Sequence, residues 1–328
     1  MPFASSTGSF STRRNQQNQA MTLCTIGFKD AWQAYRDCEM RLPSKPTPVE
    51  PIVVDGVVDA VARLGARAVV LDGFGVLNNG TVALPGAAEA VAELRRLGIP
   101  IRVLTNDASA LPAEIAARHR GRGVEIDDDE VVSGLSLLTS RLDERPGGWL
   151  VVATQVVIPE LAALGLSLWD GSPAQLDAAG GFVMLESDDW DDERQDRLES
   201  SLRCNPRALI VTNPDIAAPW SDLPPGRLAA DPGWYSHRLA DAVGIDPVFL
   251  GKPFLPVYQR VLETLPGIAP ADVLAVGDSP HTDILGGRNA GLRTLLLGTG
   301  LLSGRDLDAY ARACGILPDL IAPTIGKP

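Results

Sequence analysis

The chain has 328 residues, room for two packed units, and its 45 % hydrophobic and 21 % charged residues are those of a folded globular protein. A net charge of −12 excludes the basic footprint that nucleic acid or an anionic membrane surface requires, and no apolar run approaches the ~18 residues of a membrane helix. Cys24, Cys38, Cys204 and Cys314 form no C-x-x-C pair, so neither a zinc knuckle nor a disulfide framework is expected and a reducing compartment is the simpler setting.

Residues 1–29 contain no acidic residue and are rich in Ser, Thr, Gln and Asn, which reads as a disordered tail. A cytoplasmic location follows, with an organellar one as the alternative if this stretch is a transit peptide, and Met21 as an alternative start. "AWQAYRDCEMRL" (31–42) reads as a short helix, and the four prolines of "PSKPTPVEP" (43–51) make a linker that cannot continue it. Residues 1–50 are therefore expected to lie outside a folded body that begins near residue 52.

From there, apolar runs alternate with amphipathic helical stretches. The strands are expected at 67–72, 99–106, 148–154, 180–186, 207–213, 247–251, 272–278 and 293–298. Continuous apolar strands of this kind are buried on both faces, so the fold class is α/β, with a doubly wound parallel sheet of Rossmann-like type. Segments 51–108 and 246–302 form the expected core, 109–245 an inserted α/β domain, and 303–328 a C-terminal helix and tail whose closing "GKP" carries no chemistry. Two acidic runs in the insertion, "IDDDE" (126–130) and "ESDDWDDERQD" (186–196), read as solvated helix starts, because carboxylates suit the positive end of a helix.

Ligands of doubly wound sheets bind outside the carboxyl ends of the strands. Four strands end there in polar clusters: Asp72 in "AVVLDGFGVLNNG" (68–80), Thr105-Asn106-Asp107, Gly251-Lys252-Pro253, and Asp278 with Asp283 in "VGDSPHTD" (276–283). Attack on a phosphoryl group needs a nucleophile, a divalent cation, donors for the equatorial oxygens and a cationic side chain. Carboxylates at 72, 278 and 283, donors at 105 and 106 and the Lys252 ammonium supply that set, and Mg2+ suits such oxygen ligands. The chain has four lysines, at 29, 45, 252 and 327, and of these Lys252 alone falls in the expected folded body.

In order and spacing these clusters resemble the four motifs of the haloacid dehalogenase-like hydrolases, from about residue 66 to about 302. The insertion between the second and third motifs, the "GKP" form of the third, and "LIVTNPD" within the insertion resemble class IIA, phosphatases with an α/β cap. The resemblance implies that Asp72 forms an aspartyl-phosphate, that Thr105 and Asn106 bind phosphoryl oxygens, and that Lys252 steadies nucleophile and phosphate. It implies Mg2+ held by Asp72, the backbone carbonyl of Phe74 and Asp278, with Asp283 supporting the metal's waters or Lys252. The substrate implied is a small phosphorylated metabolite chosen by the cap, with a homodimer as the assembly the family's caps often support. Asn213 and Asp215 match a pattern expected to be structural.

One position departs from the family. Phe74 stands where phosphatases carry a second aspartate that protonates the leaving alcohol and activates water, help worth about 10² to 10⁴ in rate. Three readings follow: a leaving group that needs no proton, such as an acyl or aryl phosphate, or an acid from elsewhere, with Asp107 and His281 nearest in sequence; a catalytically inactive metal- and phosphate-binding module; or dehalogenase-like displacement. The metal-type "GDSPHTD" counts against the last, because haloacid dehalogenases work without a metal.

Overall fold

The structure, a computed structural model, describes residues 24–152, 160–188, 190–220, 222–224 and 226–326. Most of the tail expected at 1–29, and the Lys327-Pro328 end of the closing tripeptide, lie outside the described residues.

Seven strands form one parallel sheet, in the order Ile52–Val53, Leu320–Ala322, Arg293–Leu297, Val273–Gly277, Ala68–Leu71, Ile101–Thr105, Val131–Ser133. All residues of Ala68–Leu71 and Val273–Gly277 are buried, as continuous apolar runs require when helices cover both faces. Side chains alternate between those faces. Val69, Leu71, Leu274 and Val276 pack with helices Val57–Leu64, Ala87–Arg96 and Pro112–Gly121, whereas Ala68, Val70, Val273 and Ala275 pack with helix Leu255–Glu263. From Ala68–Leu71 the chain winds outward through Ile101–Thr105 to Val131–Ser133, and from Val273–Gly277 it winds the other way. The switch point therefore falls between the strands that precede Asp72 and Asp278, where a crevice opens at the carboxyl ends.

A second parallel sheet, in the order Val248–Phe249, Ala208–Val211, Gly181–Met184, Trp149–Val151, Leu166–Leu168, forms the cap with a small antiparallel sheet of Thr25–Gly27, Arg227–Ala230 and Ala217–Ala218.

The structure corrects several expected boundaries. The first sheet's layer extends past residue 108: helix Pro112–Gly121 and strand Val131–Ser133 pack in its core, because Ile115, Ala116, Val124, Ile126 and Val131 bury against it. Val248–Phe249 pairs with Ala208–Val211 in the cap sheet, so residue 246 does not begin the core. The segment 303–328 is more than a helix and tail, since Leu320–Ala322 is a sheet strand and Ile325 is 1 % exposed. Nor does the folded body begin at 52. Thr25–Gly27 pairs with the cap, and helix Phe28–Asp37 buries Phe28, Ala31 and Tyr35. The acidic runs do start helical turns: Glu130 closes a capping box on Asp127, and Asp191 caps helix Asp192–Cys204 by accepting from the Arg194 N–H.

Candidate active site

At the switch point the Lys252 Nζ lies 2.5 Å from Asp72 Oδ1 and 2.8 Å from Asp283 Oδ1. The lysine is 2 % exposed, Asp278 and Asp283 are each 4 % and Asp72 9 %. Among the described residues, Asp72, Asp278 and Asp283 form a group whose carboxylate oxygens lie within 4.8 Å of one another. Burial works against the Lys252 ammonium, but Asp283, Asp72 and Asp215 outweigh it and hold its pKa well above the ordinary lysine value. Burial, then the neighbouring Asp283, pushes Asp278 up to about 8, although the Leu301 N–H donates to its Oδ2 at 2.6 Å. Burial also raises Asp72, offset in part by Lys252.

Local backbone geometry makes this crowding feasible. After Asp72 the chain turns sharply, with the N–H groups of Leu77 and Asn78 donating to the Gly73 carbonyl at 2.9 and 3.0 Å. Gly75 within this turn has φ +80°, and a Cβ there would fall 2.0 Å from Asp278 Oδ2, so glycine is required twice over. Asp72 Oδ1 is further fixed by the Gly73 N–H at 2.6 Å. Asp283 sits in a π-helical turn, Pro280–Ile284, and accepts the Ser279 N–H at 3.1 Å.

Asn106 and Lys252 lock together: the Lys252 N–H donates to Asn106 Oδ1 at 2.7 Å, and Asn106 Nδ2 donates to the Lys252 carbonyl at 3.1 Å. The same amide donates to Asp215 Oδ1 of the cap at 2.9 Å. Thr105 Oγ1 accepts the Asp107 N–H at 3.1 Å. Asp72, Asn106, Lys252, Asp278 and Asp283 thus converge on one end of the sheet, where Thr105 ends a neighbouring strand, and the half-buried Phe74 stacks its ring on Trp220 of the cap.

The two sequence alternatives for a proton carrier are committed elsewhere. Asp107 Oδ1 accepts from the Ser109 N–H and hydroxyl at 2.8 and 2.5 Å, and Arg118 stands 3.7 Å from Oδ2. His281 is stacked face to face on Tyr35 and touched edge-on by Trp32, and burial pushes its pKa down to about 3. A neutral imidazole wedged in an aromatic clamp is poorly suited to carry a proton to a leaving group.

Sequence reasoning missed Glu186, counted in a solvated acidic run. It is 8 % exposed, accepts the Ala108 N–H at 2.6 Å and the Asn213 amide at 3.4 Å, and burial raises its carboxyl well above the usual range. Its signal was position, because Glu186 follows an apolar parallel strand much as Asp72 does. Asp215 was read as structural; it fastens Asn106 to the cap, and burial pushes it up to about 6.

Known proteins resemble this chain in sequence and in fold. The model described as haloacid dehalogenase-like hydrolase matches residues 69–167, and a second, HAD-hydrolase-like model matches residues 249–327. Chronophin from Homo sapiens is 29 % identical over 260 residues, covering 76 % of this chain and 86 % of that protein. The ribonucleotide monophosphatase NagD from Escherichia coli K12 is 29 % identical over 269 residues, covering 79 % of this chain and 96 % of that protein. The solved p-nitrophenyl phosphatase from Archaeoglobus fulgidus superposes with a TM-score of 0.65 at 25 % identity, covering 79 % of this chain and 97 % of that one. With both motif-bearing segments matched and named phosphatases as its relatives, the chain belongs to the haloacid dehalogenase-like hydrolases, among the class IIA phosphatases.

Proposed function

We propose that the chain is a magnesium-dependent phosphohydrolase that passes the phosphoryl group of a small metabolite to Asp72 and then to water, on substrates whose leaving group departs without a proton. The observation that carries this reading is the buried contact of Lys252 with both Asp72 and Asp283 beside Asp278. Three carboxylates against one ammonium leave an excess of negative charge in a dry site, and a divalent cation with oxygen ligands fits that imbalance. Asp72, Asp278 and the Phe74 carbonyl would hold magnesium, which when bound offsets charge on the phosphoryl oxygens.

The chain's own groups have separate tasks. Asp72, its Oδ1 held by Lys252 and the Gly73 N–H, attacks phosphorus: a bond from the carboxylate oxygen forms, and the bond to the leaving oxygen breaks with its electron pair. The Thr105 hydroxyl steadies a transferring oxygen, and Asn106, whose side-chain amide is taken up by Lys252 and Asp215, can do so only through its backbone N–H. Asp283 orients the Lys252 ammonium and keeps it charged. Water then displaces the Asp72 carboxylate from phosphorus, and its proton passes to the phosphate product. With Phe74 in place of a proton carrier, an aryl oxide or carboxylate leaves readily and an alkoxide does not. The Phe74–Trp220 pair adds an apolar wall at the mouth, and one relative is a p-nitrophenyl phosphatase, named for an aryl phosphate.

The test compares turnover of p-nitrophenyl phosphate, acetyl phosphate and glycerol phosphate with Mg2+ by wild type and Asp72→Asn. Turnover of the first two, lost in Asp72→Asn, is expected. No turnover by wild type, together with measurable binding of Mg2+ and phosphate, would replace this reading with a binding module, and metal-independent halide release would replace it with a dehalogenase.

A further inference from the structure

We propose that Tyr35, on the N-terminal helix Phe28–Asp37, is a positioning residue that sets the catalytic turn Pro280–Ile284 and the cap loop at Asp215 relative to each other. Its ring lies parallel to that of His281, centroids 4.3 Å apart and 6° between planes, two residues before Asp283. Trp32, one turn earlier on the same helix, meets the His281 ring edge-on at 4.8 Å. At its far end the Tyr35 hydroxyl accepts the N–H of Ile216 at 3.3 Å, next to Asp215, whose carboxylate holds Asn106. One buried side chain, 3 % exposed, thus touches the turn that orients Lys252 and the cap loop that orients Asn106.

The segment carrying Tyr35 is anchored on both bodies. Thr25–Gly27 is a strand of the cap's small sheet, and Arg41 pairs with Asp241 of cap helix Pro232–Val243. On the core side Asn289 donates to the Ser44 carbonyl at 3.0 Å, Arg288 to the Thr47 carbonyl at 2.9 Å, and Arg312 pairs with Glu50 at 2.8 Å. Phe28 is clamped between Tyr310 and the Arg305 guanidinium, the latter 3.5 Å from the ring centroid. Residues 24–50 therefore form a strap across the junction, with Tyr35 where the strap meets the site. The ring contact and the hydroxyl contact reach different loops, so they separate by mutation.

The experiment uses the full chain and compares wild type, Tyr35→Phe, Tyr35→Leu and Trp32→Leu. It measures kcat and KM on p-nitrophenyl phosphate, the affinity for Mg2+ alone and for inorganic phosphate with Mg2+ by calorimetry, and the melting temperature. Tyr35→Phe keeps the stack and loses the cap bond, so KM and phosphate affinity should worsen by about two- to tenfold at unchanged kcat. Tyr35→Leu loses the stack as well, so kcat should fall by roughly ten- to a hundredfold, through misplacement of Asp283 and Lys252, at temperatures where the variant is folded. Trp32→Leu should lower kcat by less and leave KM unchanged. Wild-type phosphate affinity and KM in Tyr35→Phe, or wild-type kcat in a folded Tyr35→Leu, would overturn the proposal. If Tyr35→Leu does not fold, the KM-against-kcat split between Tyr35→Phe and Trp32→Leu decides. Should wild type prove inactive, the Mg2+ and phosphate affinities still decide.

Discussion

Phe74 of the core and Trp220 of the cap stack at a ring-centroid distance of 5.6 Å and an interplanar angle of 22°. The position where the family resemblance leads one to expect a proton carrier is here an apolar contact between the two bodies. Phe74→Asp should restore the missing acid-base group: turnover of an alkyl phosphate such as glycerol phosphate should rise by about 10² to 10⁴. The lost stack should cost about 0.5–1.5 kcal/mol of stability. A steady-state comparison on alkyl and aryl phosphates checks this, and an unchanged alkyl rate would show that another group already supplies the proton.

Lys252→Met removes the cation between two buried carboxylates. Activity should vanish, and the unpaired charges should cost roughly 3–5 kcal/mol at neutral pH. Protonation of Asp72, whose carboxyl burial raises, should make the penalty smaller at acid pH. Urea unfolding of wild type and variant at pH 7.5 and pH 5 reads both effects; equal penalties at the two pH values would contradict the pairing.

Gly75→Ala tests whether the tight turn serves the acidic cluster. The new Cβ would fall 2.0 Å from Asp278 Oδ2, on a backbone with φ +80°. Asp278 must move, so Mg2+ affinity measured by calorimetry should drop by at least tenfold. The strained backbone should also cost about 1–3 kcal/mol. Wild-type metal affinity would separate the turn from the metal.

The chain's three histidines are all buried, and burial pushes His119 and His237 down to about 4 and His281 to about 3. A base whose folded pKa lies below its unfolded value binds fewer protons when folded, so its contribution falls as pH drops from about 6.5 to about 4. The buried carboxylates with raised pKa act in the opposite sense, so the informative quantity is a difference between variants. His237 packs on Phe249 with neither ring nitrogen partnered. His237→Phe should lose roughly 1–3 kcal/mol less stability than wild type between pH 7 and pH 4. Parallel stability curves would show that His237 is not neutral in the folded protein.

Much of the site was legible because it is built at strand ends. A strand such as Ala68–Leu71 announces itself by continuous burial, and the first polar residue after it must stand at the sheet's carboxyl edge. That logic found Asp72, Thr105, Asn106 and Asp278, and Lys252 stood out by the scarcity of lysine. It also applied to Glu186, but there the acidic residues that follow, which do start a helix, masked the strand-end position. The short strands at one side of the sheet were harder to see. Ile52–Val53 and Leu320–Ala322 span two and three residues, too few for a periodic signal, and they exist because a neighbouring strand offers its hydrogen bonds.

By itself the sequence determined the α/β class, the winding of the core around Asp72 and the polar groups that end its strands, because local periodicity and strand ends are properties of consecutive residues. Only the tertiary structure decided which side chains share a contact across long separations. It joined Lys252 to Asp72 and Asp283, set Trp220 over Phe74, and placed Tyr35 between His281 and Ile216. The helix at 31–42 read as an appendage because its amphipathic face names no partner; the surface that covers it is assembled from residues more than 180 positions away. Packing between distant segments has no signature in either segment alone, so the role of the N-terminal strap appeared only once the cap and the core had been brought together.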